Sequence, residues 1–278
     1  MPHHHHPGPD EAFVGPEEVA RVVADGEIAL DFVAEVVGLL DHPVRRVLDI
    51  GSGPGVATLE LARLLPEAEV VAIDASESMV DAVIERANLA GVGARVSARV
   101  AELPGGIGEL DDIDLVWASM SLHHVSDERA AIHEITASLS EHGVLAIVEF
   151  GDQRRLLPPG DDALGDRVEA AYERYFAEQS QHWHGNTPSG ELSEMVRGAG
   201  LEVMDDHVSV ITHEPPLDEA QRRYVTLSMW RAIKQLDGLL DPADLTALEL
   251  LAEDDKRPDG TVVVSRRILL ARRASTRE

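Results

Sequence analysis

The feature that most constrains this chain is one run, Val47-Leu48-Asp49-Ile50-Gly51-Ser52-Gly53-Pro54-Gly55. A stretch with β-branched Val44, Val47 and Ile50 stops at three glycines on alternate positions. An apolar pattern of helical period then runs from Pro54 to Leu65, with Val56, Leu59, Leu61, Leu64 and Leu65 on it. This reads as strand, tight loop and helix. Glycines allow positive φ and let a ligand approach the backbone closely. Pro54 suits the first helical turn, where its missing N–H is not needed.

The alternation continues. Val70 to Ile73 reads as a second strand, Ser76 to Ala90 as a helix and Val96 to Val100 as a weak third strand. Ile113 to Ala118 reads as a fourth strand, Asp127 to Leu139 as a helix and Val144 to Phe150 as a fifth strand. Strands alternating with helices predict a doubly wound, mostly parallel α/β sheet. Before it, Pro16 to Leu40 predicts two short helices broken near Gly26. After Gly151 the alternation stops. Pro158-Pro159, an aromatic helix over Val168 to Phe176 and His182-Trp183-His184-Gly185 form an insertion. Helix Ser189 to Ala199, strand Leu201 to Ile211, helices Leu217 to Leu239 and Pro242 to Leu251, and strand Thr261 to Ala271 complete the chain. The organisation expected is a flexible tail over 1–16 and one domain over 17–278. Within the domain, helices fill 17–42, a ligand-binding core 43–151, a helical lid insertion 152–187 and the rest of the sheet 188–278.

Composition narrows the function. The chain has 51 Asp and Glu against 24 Lys and Arg, a formal charge of −27, which opposes a nucleic-acid backbone or an anionic membrane as partner. There is no cysteine, so disulfides, thiolate nucleophiles and Cys-ligated zinc are excluded. No run of about 18 uncharged apolar residues exists, and Met1 to Pro7, with its four histidines, lacks a secretory pattern. A cytoplasmic protein is expected.

The glycine spacing is G-x-G-x-G. The dinucleotide fingerprint needs a third glycine where Val56 stands. Asp49 would repel a pyrophosphate but could organise an ammonium group. Asp74 ends the second strand, where a carboxylate can accept from both hydroxyls of a ribose. The pattern describes a pocket for an adenosine-type ligand without a phosphate.

On these residues the chain resembles the class I S-adenosylmethionine-dependent methyltransferases of Rossmann-like fold. The similarity rests on the loop above and on Ala72-Ile73-Asp74-Ala75-Ser76-Glu77-Ser78-Met79. It rests also on Asp114-Leu115-Val116-Trp117-Ala118-Ser119-Met120-Ser121-Leu122-His123-His124-Val125 and on Leu139-Ser140-Glu141-His142-Gly143-Val144-Leu145-Ala146-Ile147-Val148-Glu149. The tail Thr261 to Arg272 is similar to the final antiparallel strand of actinobacterial members. The resemblance implies a seven-stranded sheet with an antiparallel last strand and S-adenosylmethionine as cofactor. It implies that Asp49, Gly51, Gly53 and Gly55 line the methionine end, that Asp74 holds the ribose and that Met79 packs on the adenine. Glu102 would meet the adenine amino group, and Ser119 would approach the cofactor.

Methyl transfer is an in-line displacement and needs alignment and water exclusion more than a catalytic triad. His123 and His124 follow the fourth strand, so either is a candidate general base. A helix-capping or backbone-bonding role is the competing reading. Tyr172, Tyr175 and Phe176, with His182, Trp183 and His184, are candidates for a lid over an apolar small-molecule acceptor, to which Trp230 and Arg231 could add. An ordinary packed helix would give the same spacing. No Asp/Glu cluster accompanies His182 and His184, so no metal site is expected. Two other functions compete: a non-catalytic S-adenosylmethionine-binding protein, and a nicotinamide oxidoreductase, which the glycine spacing opposes.

Overall fold

The computed structural model describes residues 16–155, 162–179, 189–253 and 260–273. In chain order these form α1 (Pro16–Glu27), α2 (Leu30–Leu39), β1 (Arg46–Ile50), α3 (Val56–Leu64), β2 (Glu69–Asp74), α4 (Glu77–Leu89), β3 (Val96–Val100) and β4 (Ile113–Ser119). A single 3-10 turn (Leu122–His124) follows. Then come α5 (Glu128–Ser138), β5 (Leu139–Arg155), α6 (Asp162–Gln179), α7 (Ser189–Gly198), β6 (Leu201–His213), α8 (Glu219–Gln235), α9 (Pro242–Glu253) and β7 (Val262–Arg273).

The strands make one seven-stranded sheet of order β3-β2-β1-β4-β5-β7-β6. β1 pairs in parallel with β2 and β4, β2 with β3, and β4 with β5. β7 runs antiparallel to both β5 and β6. The expected α/β class, strand number and reversed last strand are all present.

Burial explains why the core strands read as near-continuous apolar runs. Val47, Trp117, Ala146, Val148, Ile268 and Leu270 pack on one side with Phe32 and Val36 of α2, Leu61 of α3 and Tyr224 and Met229 of α8. Leu48, Ile50, Val116, Leu145 and Leu269 pack on the other with Ile132 and Ile135 of α5 and Val196 of α7. A sheet covered on both faces has no polar alternation to show.

Three departures from the sequence reading have a clear packing cause. Gly26 lies inside α1 instead of breaking it; the chain breaks at Ile28-Ala29. A Cβ on Gly26 would come within 2.8 Å of Val56 Cβ, so this glycine permits close helix approach rather than ending a helix. β5 begins at Leu139, where a helical residue was expected, and runs on to Arg155 because β7 pairs along it as far as Arg155↔Val263. In the insertion, α6 is longer than Val168 to Phe176. Leu164, Val168, Ala171 and Tyr172 are buried in the main core, and Arg167 makes two 2.7 Å bonds to Asp244 of α9. That helix packs as an ordinary core helix. His182, Trp183 and His184, and the tail 1–15, lie outside the described residues. No helix among the described residues is long and apolar enough to cross a membrane.

Candidate functional site

The strand order reverses between β1 and β4, and the crevice at their carboxyl ends is where ligands bind in open α/β sheets. The glycine loop fills one side of it. Gly51, Gly53 and Gly55 have φ of +64°, +52° and +83°. The Gly51 and Ser52 N–H groups donate to Ile73 O at 2.8 and 3.1 Å, which folds the loop back over β2. Any Cβ at Gly51 would stand 2.4 Å from Ser121 Cβ. Only glycine tolerates both that φ and that contact. α1 lies over the loop, with Val22 Cγ1 3.2 Å from where a Gly53 Cβ would be.

Two acids serve this loop. Asp49 is 2% exposed and accepts from Thr58 Oγ1 at 2.6 Å. Burial pushes its carboxyl up to about 7, the Thr58 bond opposes the rise, and Asp74 adds to it. Asp74 accepts from Gly53 N–H at 2.8 Å and Ser76 N–H at 2.9 Å. Burial raises its carboxyl too, against the pull of those two bonds. Ala101 N–H donates to Asp74 O at 2.9 Å, and the exposed Glu102 is the next residue after Ala101. Met79 is fully buried in the first turns of α4. The structure therefore brings Asp49 of β1, Gly51, Gly53 and Gly55 of the following loop, and Asp74 at the end of β2 together at one strand end. Glu102 stands at its rim and Met79 in the core beneath.

The other side of the crevice is the chain after β4. Ser119 ends that strand, and Met120 takes φ +53°, a left-handed conformation costly for a side chain of its size. The turn swings Ser121 against Gly51 and sends the 3-10 turn along the carboxyl edge. His123 Nδ1 lies 2.7 Å from Glu149 Oε2, and both side chains are mostly buried. A carboxylate only accepts, so Nδ1 carries the hydrogen of this bond. Glu149 Oε1 is buried without a hydrogen-bond partner among the described residues. The His123 ring lies 4.1 Å from that of His124 and 5.5 Å from Phe150, over which Arg266 Cζ stands at 5.7 Å. His124 keeps an exposed edge. Removal of the ring from water, then His123 and Arg231, push its imidazole down to about 4. It is neutral at ordinary pH.

Sequence reasoning paired neither His123 with Glu149 nor Asp49 with Thr58, and it passed over Ser121 and α1. Glu149 could have been found: it stands at the carboxyl end of the expected fifth strand, beside the loop that carries the histidines. Thr58 lies nine positions from Asp49, in the next helix, and no spacing rule marks it.

The crevice suits an adenosine-type cofactor. The glycines take positive φ and let Ser121, Val22 and Val83 pack close to the loop backbone; among the described residues Asp49 and Asp74 have no resident cation and the buried Ser121 hydroxyl is unpartnered. Residues 47–143 match a family model described as a methyltransferase domain. A trans-aconitate 2-methyltransferase of Paracidovorax citrulli is 30% identical over 203 residues, 63% of this chain and 72% of that one. Other relatives match over shorter stretches, and the chain spans 26% to 50% of their length. Among solved structures, a putative methyltransferase from Bacillus halodurans superimposes with TM-score 0.56 at 16% identity. It covers 88% of this chain and 99% of that one. The [4+2]-cyclase SpnF superimposes with TM-score 0.51 at 23% identity, over 88% of this chain and 80% of that one.

Proposed function

The chain belongs to the class I S-adenosylmethionine-dependent methyltransferases, and from that premise we propose that it methylates a small molecule whose nucleophile gives up a proton to His123. The cofactor, when bound, supplies a methyl group on a sulfonium, already a good leaving group. Asp49, Gly51, Gly53 and Gly55 would hold its methionine end, Asp74 its ribose, and Glu102, Met79 and Ser119 would border it. The glycine loop with two acids, and with no cation beside them among the described residues, supports that assignment and opposes a nicotinamide pyrophosphate.

The observation that carries the acceptor reading is the 2.7 Å bond from His123 to Glu149 at the carboxyl edge of β4 and β5. The carboxylate fixes the imidazole tautomer and steadies the imidazolium once Nε2 has taken the proton. His123 is thus the proposed catalytic base and Glu149 a positioning residue. His124, held near 4, is too weakly basic for that task and serves as a neutral wall beside it. The charge of −27 supports a small molecule rather than nucleic acid.

A screen of candidate metabolites with product mass analysis identifies the acceptor. On it, His123→Ala lowers kcat about 10²- to 10⁴-fold. Glu149→Gln lowers it less and shifts the pH profile, while S-adenosylhomocysteine affinity holds in both. Unchanged turnover in His123→Ala would sink the base. One observation favours a second reading: Arg231 sits close enough to His124 to depress it, a cation at the acceptor edge. The Paracidovorax relative is a trans-aconitate 2-methyltransferase, and a carboxylate nucleophile ionises without help. On that reading the product is a methyl ester and His123→Ala is nearly silent.

A further inference from the structure

Ser121 is buried, 8% exposed, and its Oγ has no hydrogen-bond partner among the described residues. A hydroxyl left so is destabilising relative to a satisfied one. Packing alone does not ask for it. Ser121 Cβ packs against Gly51, where an added Cβ would stand 2.4 Å from it. Alanine at 121 would keep that packing without burying a polar atom. The same would-be Cβ stands 3.2 Å from Ser121 Oγ, so the hydroxyl lies against the first glycine of the loop. The left-handed Met120 is what delivers it there. A costly backbone turn that ends in an unpartnered polar group needs a reason outside the resting chain.

We propose that the Ser121 hydroxyl is a positioning group for the amino-acid end of the cofactor, satisfied only when that end enters the crevice beside Gly51. The proposal rests on the reading of the glycine loop as the cofactor cradle. It adds a side chain from β4's far end to a cradle otherwise made of backbone and acids. A hydroxyl can donate to a carboxylate or accept from an ammonium, so it suits either pole of that end. Holding the amino-acid end fixes the line along which the reacting group points, which gives Ser121 leverage on alignment without contact with the acceptor.

The test is calorimetric binding to the full chain and to Ser121→Ala, with two probes. One is S-adenosylhomocysteine; the other is 5′-methylthioadenosine, which lacks the amino-acid end. Ser121→Ala is expected to weaken S-adenosylhomocysteine about five- to tenfold, the size of one hydrogen bond. It should leave 5′-methylthioadenosine within about twofold, since the adenosine contacts are untouched. The Tm of the ligand-free variant should hold or rise, because a buried unpartnered hydroxyl has been removed. Equal weakening of both probes, no weakening of either, or a falling ligand-free Tm would mark Ser121 as structural and overturn the proposal. Failure of the unmodified chain to bind S-adenosylhomocysteine would overturn the cradle reading and this proposal with it.

Discussion

The two halves of the sheet treat their carboxylates in opposite ways. In the half built from β1, β2 and β4, Asp49 and Asp74 meet, among the described residues, only a hydroxyl and backbone N–H groups, and burial raises both. In the half built from β5, β6 and β7, Asp206 receives 2.7 Å bonds from Nε and Nη2 of Arg267, with Ser193 completing the set. Asp206 is held below the usual range, chiefly by Arg267. Asp244 is held down likewise by Arg167 of α6. An acid meant for a cationic ligand must be left without a resident cation, at a cost in stability. An acid meant for structure is given an arginine fork. Burial alone does not separate the two; the partner does.

The largest break in this contrast comes from the loop that makes the first half possible. Gly51→Val imposes a β-branched side chain at φ +64° and drives Cβ into Ser121. Loss of at least about 3 kcal/mol of stability is expected, from strain and overlap together. S-adenosylhomocysteine binding should vanish in calorimetry. Retained binding would show that the loop is not the cradle.

Asp49→Asn and Asp206→Asn then form a matched pair of opposite sign. Asp49 has a folded-state value raised to about 7, so the native chain holds a proton that the unfolded chain has lost between about pH 4 and 7. Stability from this group is therefore full below pH 4 and falls as pH rises through 7. Asp49→Asn removes that loss and should stabilise the ligand-free chain at pH 8 by about 2 kcal/mol while weakening the cofactor. Asp206 is depressed, so its contribution is present above the unfolded value and is lost as pH falls through the folded one. Asp206→Asn should destabilise by about 1–2 kcal/mol at pH 7, with the deficit shrinking in acid. Denaturant melts from pH 4 to 8 measure both. A loss of stability in both variants at pH 8 would erase the distinction.

How far the sequence could be read follows the same division. The first half is local. Strand, glycines, helix and Asp74 fall within about thirty residues, so spacing alone carried the loop and its two acids. The second half is assembled across long separations. Arg267 and Asp206 lie 61 residues apart, and Ser193 lies further still from Arg267. In a chain with 51 acids, each of these charges reads as ordinary solvated surface. His123 and Glu149 stand between the two cases. Both lie within stretches that were read correctly as strand end and following loop, but their bond depends on the register of β4 against β5, Ser119 beside Val148. Gly26 shows the reverse error. A glycine that permits helix contact with Val56 has the same local signature as a helix breaker, and only the neighbour distinguishes them.

The smallest effect tests where the division runs. His207 of β6 lies in the arginine-rich half, yet its ring reaches back to α2, in the layer beside the cradle. Its Nε2 lies 2.8 Å from Glu35 Oε1, Ser209 Oγ donates to Glu35 Oε2 at 2.6 Å, and Asp205 Oδ2 is 3.3 Å from Nδ1. The Glu35 bond first, then the charge of Asp205, raise the imidazole against the opposing effect of burial. A raised histidine contributes fully below its unfolded value near 6.5 and loses that contribution as pH rises through the folded value. His207→Gln should therefore lower Tm more at pH 6 than at pH 8.5, by an amount worth no more than about 1 kcal/mol for a pair this exposed. Cofactor affinity should be unchanged, since α2 does not line the loop. A variant that melted equally early at both pH values would assign the tie to packing. One that lost S-adenosylhomocysteine affinity would show that the second half reaches through α2 to set the cradle, and the division between the halves would no longer hold.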